Sequence, residues 1–211
     1  MEQLNKIAVI GGTGKAGKIL VKELVNQGFK IKVLLRNPEK LDINNPLVEK
    51  IQGDVRNYES VHALISGCSA VISTLGQTKA EELVFSVAAE NIIKAMKSLH
   101  VSRYILLTGM TIVAPQDKKS LFSKFLAGIM KLNFRDIIAD KQKEFGLISE
   151  SGLEWTVVRV PMIEQTEITR PVKVSLEDCP GNKISTTDLV NFLIKQLPDK
   201  EYLRKAPFIS N

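Results

Sequence analysis

The stretch from Ile7 to Gly17 constrains this chain more than any other. A short apolar run, Ile7-Ala8-Val9-Ile10, ends in Gly11-Gly12-Thr13-Gly14-Lys15-Ala16-Gly17, and an amphipathic stretch follows at once. The glycines satisfy both G-x-x-G-x-x-G (Gly11, Gly14, Gly17) and G-x-G-x-x-G (Gly12, Gly14, Gly17). A strand that ends in such a bend and passes into a helix opens a βαβ unit. A pyrophosphate can approach backbone there because no Cβ intervenes, and the open amides and positive end of the helix hold its charge. Gly17 lets the helix pack close to the strand. Gly11, Thr13, Gly14, Lys15, Ala16 and Gly17 are therefore the expected phosphate cradle. The bland alternative is a tight turn that binds nothing.

The rest of the chain continues the alternation. Residues 7–10, 31–35, 48–52, 70–73, 104–107 and 155–159 read as strands, apolar at their centres as strands covered on both faces should be. Residues 16–27, 57–66, 81–99 and 134–149 read as helices, the first stopped by Gly28. Strand and helix in turn imply parallel strands joined by right-handed crossovers. The expected fold is α/β, a doubly wound Rossmann sheet. With 211 residues the chain suits one domain. After Pro161 come a strand candidate at 172–176, a helix at 188–196 capped by Thr186 or Thr187, and a last strand at 206–209. About 50 residues do not easily make their own core. Residues 162–211 therefore read as a small C-terminal cap over the open edge of the sheet.

The second strand speaks to the choice of dinucleotide. A free ribose hydroxyl is usually met by Asp or Glu at this strand's end. This chain has Arg36, with Lys40 close by and Lys15 in the glycine loop. An arginine fork binds a 2′-phosphate, which an acid would repel, so NADP(H) is preferred and NADH less favoured. Asp54 and Val55 after the third strand are placed to flank adenine, although Asp54 can equally cap the next turn. Thr74, Leu75 and Gly76 leave the fourth strand at the end where such sheets bind ligands.

Charge and cysteine usage narrow the partners. Lys plus Arg is 29 and Asp plus Glu is 23, a net +6, but the basic residues are scattered with little aromatic interleaving, which argues against nucleic acid. Cys68 and Cys179 lie far apart, and with only His62 and His100 they make neither a disulfide framework nor a metal site. Both read as small buried thiols of a reducing cytosol. The polar start lacks the apolar stretch of a signal peptide, and no apolar run reaches the ~18–20 residues of a membrane span. The expectation is a cytoplasmic protein with no membrane partner.

The glycine loop, Leu35-Arg36-Asn37-Pro38-Glu39-Lys40, Gly53-Asp54-Val55 and Ser151-Gly152-Leu153-Glu154-Trp155-Thr156-Val157-Val158-Arg159 resemble the atypical short-chain dehydrogenase/reductases. The resemblance points to their NAD(P)H-binding, NmrA-like branch, which includes the biliverdin reductase B/flavin reductase type. Ile184-Ser185-Thr186-Thr187-Asp188-Leu189-Val190 is similar to that branch's closing helix. The resemblance implies a Rossmann fold and NADP(H) binding. Typical members carry Tyr-x-x-x-Lys, in which the Lys holds ribose and lowers the Tyr pKa. Here the alignment puts Lys141 at the Lys position and Ile137 at the Tyr position. It makes Thr108 the candidate to orient a carbonyl, and Pro161, Met162 and Ile163 the nicotinamide-side loop. Gly109 and Met162 replace a serine and a histidine of the flavin-reductase type.

A full acid/base set is therefore missing. Hydride transfer to a flat conjugated ring needs mainly position and a dry apolar wall, with solvent supplying the proton. Met110, Phe122, Phe125, Met130 and Met162 are candidates for that wall. Residues 115–119 and the apolar stretch 121–132 are expected to form a lid over the substrate mouth. A helix packed on the sheet or an oligomer surface are the alternatives. The leading expectation is an NADPH-dependent oxidoreductase acting on a small planar acceptor, as a monomer or homodimer. A non-catalytic NADP(H) redox sensor is the alternative. A nucleotide-sugar epimerase or dehydratase fits less well, because the C-terminal part is short and the tyrosine absent.

Overall fold

The computed structural model describes residues 6–77 and 82–211, with the side chains of Phe122 and Leu126 outside that description. In chain order the elements are β1 (Ile7–Ile10), α1 (Lys15–Asn26), β2 (Ile31–Leu35), β3 (Val48–Gln52), α2 (Tyr58–Ile65), β4 (Ala70–Ser73), α3 (Phe85–Ser98) and β5 (Arg103–Gly109). There follow α4 (Leu121–Asn133), α5 (Arg135–Glu150), β6 (Glu154–Val160), β7 (Met162–Glu164), β8 (Lys173–Ser175), β9 (Lys183–Ser185), α6 (Thr186–Lys195) and β10 (Phe208–Ser210).

Eight strands form one sheet in the order β3-β2-β1-β4-β5-β6-β10-β8. Only β8 runs antiparallel to its neighbour. The fold is a doubly wound Rossmann sheet. β2 and β4 flank β1, so the chain's winding direction reverses there. Ile10 is level with Leu34 on one side and Ser73 on the other, so the loops after β1, β2 and β4 leave the sheet at a common edge. A switch point of this kind leaves a crevice beyond the strand ends.

The pleat sorts the core into two layers. Val9, Val33, Ile72, Ile105 and Val158 pack with Leu20 and Leu24 of α1 and Leu189 and Leu193 of α6. Ala8, Ile10, Val71, Leu106 and Val157 pack with Leu64, Ala88, Ile92 and Phe145 of α2, α3 and α5. The central strands are apolar on both faces, as expected. β3 departs from that pattern: Glu49, Lys50 and Gln52 are exposed. It is an edge strand, where charge discourages pairing with another chain.

The tail does more than lie over the open edge. β10 pairs with β6, Phe208 opposite Arg159, and β8 pairs with β10. α6 packs on α1. The buried Arg103 of β5 binds the end of α6: its Nη2 donates to the Gln196 carbonyl at 2.6 Å and to Thr156 Oγ1 at 2.9 Å. The α6 cap is Ser185, whose Oγ accepts from the Asp188 amide at 3.1 Å. It is not Thr186 or Thr187, whose hydroxyls donate to the Glu164 and Thr166 carbonyls. α3 starts at Phe85 rather than 81, a position outside the described residues. Its first amides, of Phe85 and Ser86, are bound by Asp140 of α5 at 2.8 and 3.3 Å. β7 and β9 were not expected, since three residues are too few to show a period. No helix among the described residues is long and apolar enough to cross a membrane.

Candidate functional site

A cleft of about 1060 Å³ opens at the switch point. Its middle is the glycine loop. Gly11 has φ +81°, and a Cβ there would stand 2.6 Å from the Thr74 carbonyl carbon and oxygen, so two separate constraints require glycine. The Gly14 amide bonds the Gly11 carbonyl at 3.0 Å and closes the turn. Gly14 then caps α1 without a side chain, and the helix carries no acid in its first turn. The Lys18 amide, bonded to the Gly14 carbonyl at 2.9 Å, is the first drawn into the helix. The amides of Lys15, Ala16 and Gly17 have no helical partner, the arrangement that receives an anion. Gly11, Thr13, Gly14, Lys15 and Ala16 line the cleft. Gly17 does not. A Cβ on it would collide with the Gly11 carbonyl oxygen and stand 2.9 Å from Gly12 Cα, so its place is in seating α1 beneath the loop.

One end of the cleft is basic. Arg36 and Lys40 line it, both exposed. Asn37 accepts from the Glu39 amide at 3.0 Å, capping the short turn Pro38–Lys40 that brings Lys40 back beside Arg36. Asp54 and Val55 form the adjacent wall. Asp54 Oδ1 accepts from the Arg56 amide at 2.8 Å, so the carboxylate does cap its turn. Thr74 Oγ1 donates toward the Ile10 and Gly11 carbonyls, each at 3.3 Å, tying β4 to the glycine loop, and Leu75 and Gly76 continue the floor.

The other end holds Thr108 and Lys141. Lys141 Nζ lies 3.4 Å from Thr108 Oγ1 and 4.0 Å from the centre of the Phe85 ring. One turn earlier, Ile137 packs against the core. Burial lowers the Lys141 pKa, opposed by the nearby Glu144 and Asp140 carboxylates. Burial also pushes the Glu144 carboxyl up to about 8, with Lys141 opposing. The folded protein thus keeps a proton on Glu144 that the unfolded chain releases near the ordinary carboxylate range. Its contribution to stability is full below that range and is lost as pH rises through about 8. Glu144→Gln, which cannot titrate, is expected to flatten the decline of unfolding free energy between about pH 5 and pH 8. Urea melts across that range check it; an unchanged slope would assign the dependence elsewhere.

Pro161 and Ile163 line this end, but Met162 does not. It is 66% exposed, because successive residues of β7 alternate in direction. The apolar wall is Val84, Leu107, Val160, Pro161 and Ile163 rather than the expected methionines and phenylalanines. Phe125 and Met130 are exposed on α4, Met110 lines no part of the cleft, and the Phe122 side chain lies outside the described residues. Nor is the expected lid found: no described residue of 115–132 lines the cleft. Buried charges hold the start of that segment elsewhere. Asp117 pairs with Arg159 at 2.7 Å, and Lys119 Nζ donates to the Met110 and Ile112 carbonyls at 3.1 and 2.9 Å. Sequence reasoning missed Asn37, Arg56, Gln77 and Val84 as lining residues. Arg56 was the legible one, two residues beyond an Asp at a strand end.

Residues 11–200 match the model of the NAD(P)H-binding family. Protein TIC 62, chloroplastic, of Pisum sativum is 24% identical over 240 residues, covering 98% of this chain and 43% of that protein. Isoflavone reductase homolog A622-like of Nicotiana tabacum is 34% identical over 115 residues, covering 50% of this chain and 35% of that protein. The chain thus spans less than half the length of either relative. Among solved structures, a short-chain dehydrogenase/reductase from Veillonella parvula in complex with NADP superposes with a TM-score of 0.77 at 14% identity, over 99% of this chain and 95% of that one.

Proposed function

Since the chain belongs to the NAD(P)H-binding family, we propose that it is an NADPH-dependent oxidoreductase that reduces a flat conjugated acceptor of the flavin or quinone kind. The observation that carries this reading is the shape of this cleft. An amide cradle at its middle separates a basic end, with Arg36 and Lys40, from an apolar end that holds a lysine and a threonine. The cradle fits a dinucleotide: Gly11 and Gly14 line the cleft without side chains, and α1 has no acid in its first turn to occupy its free amides.

In this reading the amides of the glycine loop and α1 bind the pyrophosphate, and Arg36 binds the 2′-phosphate. Asp54 and Val55 flank the adenine, and Thr74, Leu75 and Gly76 border the ribose. Lys141 holds the nicotinamide ribose hydroxyls beside Thr108. Bound NADPH supplies hydride from its nicotinamide. Val84, Leu107, Val160, Pro161 and Ile163 would exclude water from that end of the cleft and offer a flat acceptor an apolar surface. With Ile137 at the usual tyrosine place, packed against the core, no proton donor stands there, so the reduced acceptor takes its proton from solvent. The motifs around Arg36, Asp54 and Trp155 support a place in the NmrA-like branch. Two free cysteines support a reducing compartment such as the cytoplasm.

NADPH consumption with FMN, FAD and simple quinones tests the reading. Turnover is expected with at least one. Tight NADPH binding without turnover on any would favour the redox-sensor reading, which an isoleucine at position 137 also suits. The cofactor preference has its own test. A charge-assisted phosphate contact is worth roughly 1.5–3 kcal/mol, so Arg36→Glu should cut the NADPH/NADH affinity ratio at least about tenfold. An unchanged ratio in direct titrations would remove Arg36 from the site.

A further inference from the structure

A second cavity, of about 650 Å³, lies between α1 and α6 beneath the segment that follows β7. It is continuous with the cleft, because Thr13 and Lys15 line both. The segment after β6 crosses from one to the other, with Pro161 and Ile163 on the cleft and Gln165 and Thr166 on the groove. Along α1 the groove is lined by Lys15, Lys18 and Lys22, spaced three and four residues apart and so on one helical face.

These three lysines are exposed, and none meets a carboxylate among the described residues. That contrasts with Lys6, Lys118, Lys119, Lys143 and Lys183, each of which has an acidic partner. The groove's own acids are Glu23 and Glu167. Glu23 is engaged along its own helix, accepting from Gln27 Nε2 at 2.8 Å. Opposite the lysines stand the single carboxylate of Glu167 and the neutral polar side chains of Gln165, Thr166, Thr187 and Asn191. A row of three ammonium groups facing one carboxylate, hydroxyls and amides, at the margin of a dinucleotide cleft, suits a dianion rather than an apolar ligand.

We propose that the hydride acceptor carries a phosphate on a flexible arm and that this phosphate seats in the α1–α6 groove on Lys18 and Lys22, reached past Thr13 and Lys15. The acceptor as hydride recipient rests on the function proposed above; the phosphate seat rests on the groove itself. Lys18 and Lys22 line the groove and not the cleft, so they select the acceptor without touching the dinucleotide.

FMN and riboflavin share one ring system and differ by one phosphate, so they isolate the seat. Flavin binding to the NADP⁺-loaded protein is read by fluorescence quenching, and reduction by NADPH is followed in parallel. Wild type is expected to bind FMN about tenfold more tightly than riboflavin, a margin that shrinks with added salt. The Lys18→Ala/Lys22→Ala variant should lose that margin and leave riboflavin binding and reduction unchanged. Equal affinity for the two flavins in wild type, a margin that survives in the variant, or binding of neither flavin overturns the proposal. A lysine-dependent margin without NADPH consumption would keep the seat and remove the oxidoreductase reading. Reduction of both flavins alike would do the reverse.

Discussion

Gly17→Ala is expected to weaken NAD(P)H binding by roughly a hundredfold and to destabilise the protein by about 2–3 kcal/mol. The methyl group would overlap the Gly11 carbonyl oxygen and stand 2.8 Å from the Gly11 carbonyl carbon. These are backbone atoms and cannot swing aside. Gly11 itself is fixed on its other side by Thr74, whose carbonyl lies 2.6 Å from where a Cβ would project. The clash is relieved only by moving α1 off the loop. That shift disturbs the packing of Leu20 and Leu24 and misplaces the free amides at the start of α1. Gly146→Ala is the matched control. Its Cβ meets nothing within 4 Å, and it lies inside α5, so the same substitution should stabilise by about 0.5–1 kcal/mol. Titration with NADPH and thermal melting of both variants read the contrast. If Gly17→Ala bound and melted like wild type, the loop geometry described above would be wrong.

Arg159→Met should cost about 3 kcal/mol while leaving the NAD(P)H affinity of the folded protein nearly unchanged. The Arg159 side chain is fully buried. Its Nη1 pairs with Asp117 at 2.7 Å, its Nε donates to the Ala206 carbonyl at 2.8 Å, and its Cζ lies 3.5 Å from the centre of the Phe208 ring. Burial lowers its pKa and the Asp117 carboxylate raises it. Methionine fills similar space but leaves Asp117 buried with only Lys119, at 3.3 Å, as a cationic partner. Adding Asp117→Asn should recover part of the loss, because the orphaned charge is then gone. Urea unfolding of the single and double variants measures this. Equal stability of Arg159→Met and wild type would show that the pair contributes nothing net. Neither residue lines the cleft, which is why binding should survive.

Much of the site was legible because its signals are local. Gly11, Gly14, Arg36, Asp54 and Thr74, each placed by its position at a strand end, line the same cleft as Thr108 and Lys141, which the family resemblance implied. The Asp54 turn was likewise foreseeable, since an Asp side chain reaches an amide two residues on without help from the fold. What was misplaced depended on groups far away in sequence. Met162 was expected in the wall, but β7 pairs with β9, and that pairing turns Met162 outward while Pro161 and Ile163 line the cleft. The supposed lid is held away by an ion pair between positions 117 and 159. The start of α3 is set by Asp140, 55 residues later.

By itself the sequence determined the alternation of strands and helices, the glycine-rich bend and an arginine rather than an acid directly after β2. Those features follow from steric and periodic rules that operate within a few residues. Tertiary structure alone decided which side chains wall the cleft, that the C-terminal strands extend the sheet, and that Lys15, Lys18 and Lys22 face a groove closed by α6. Those outcomes turn on strand register and on burial of paired charges, which are set by contacts between segments that the chain order does not bring together.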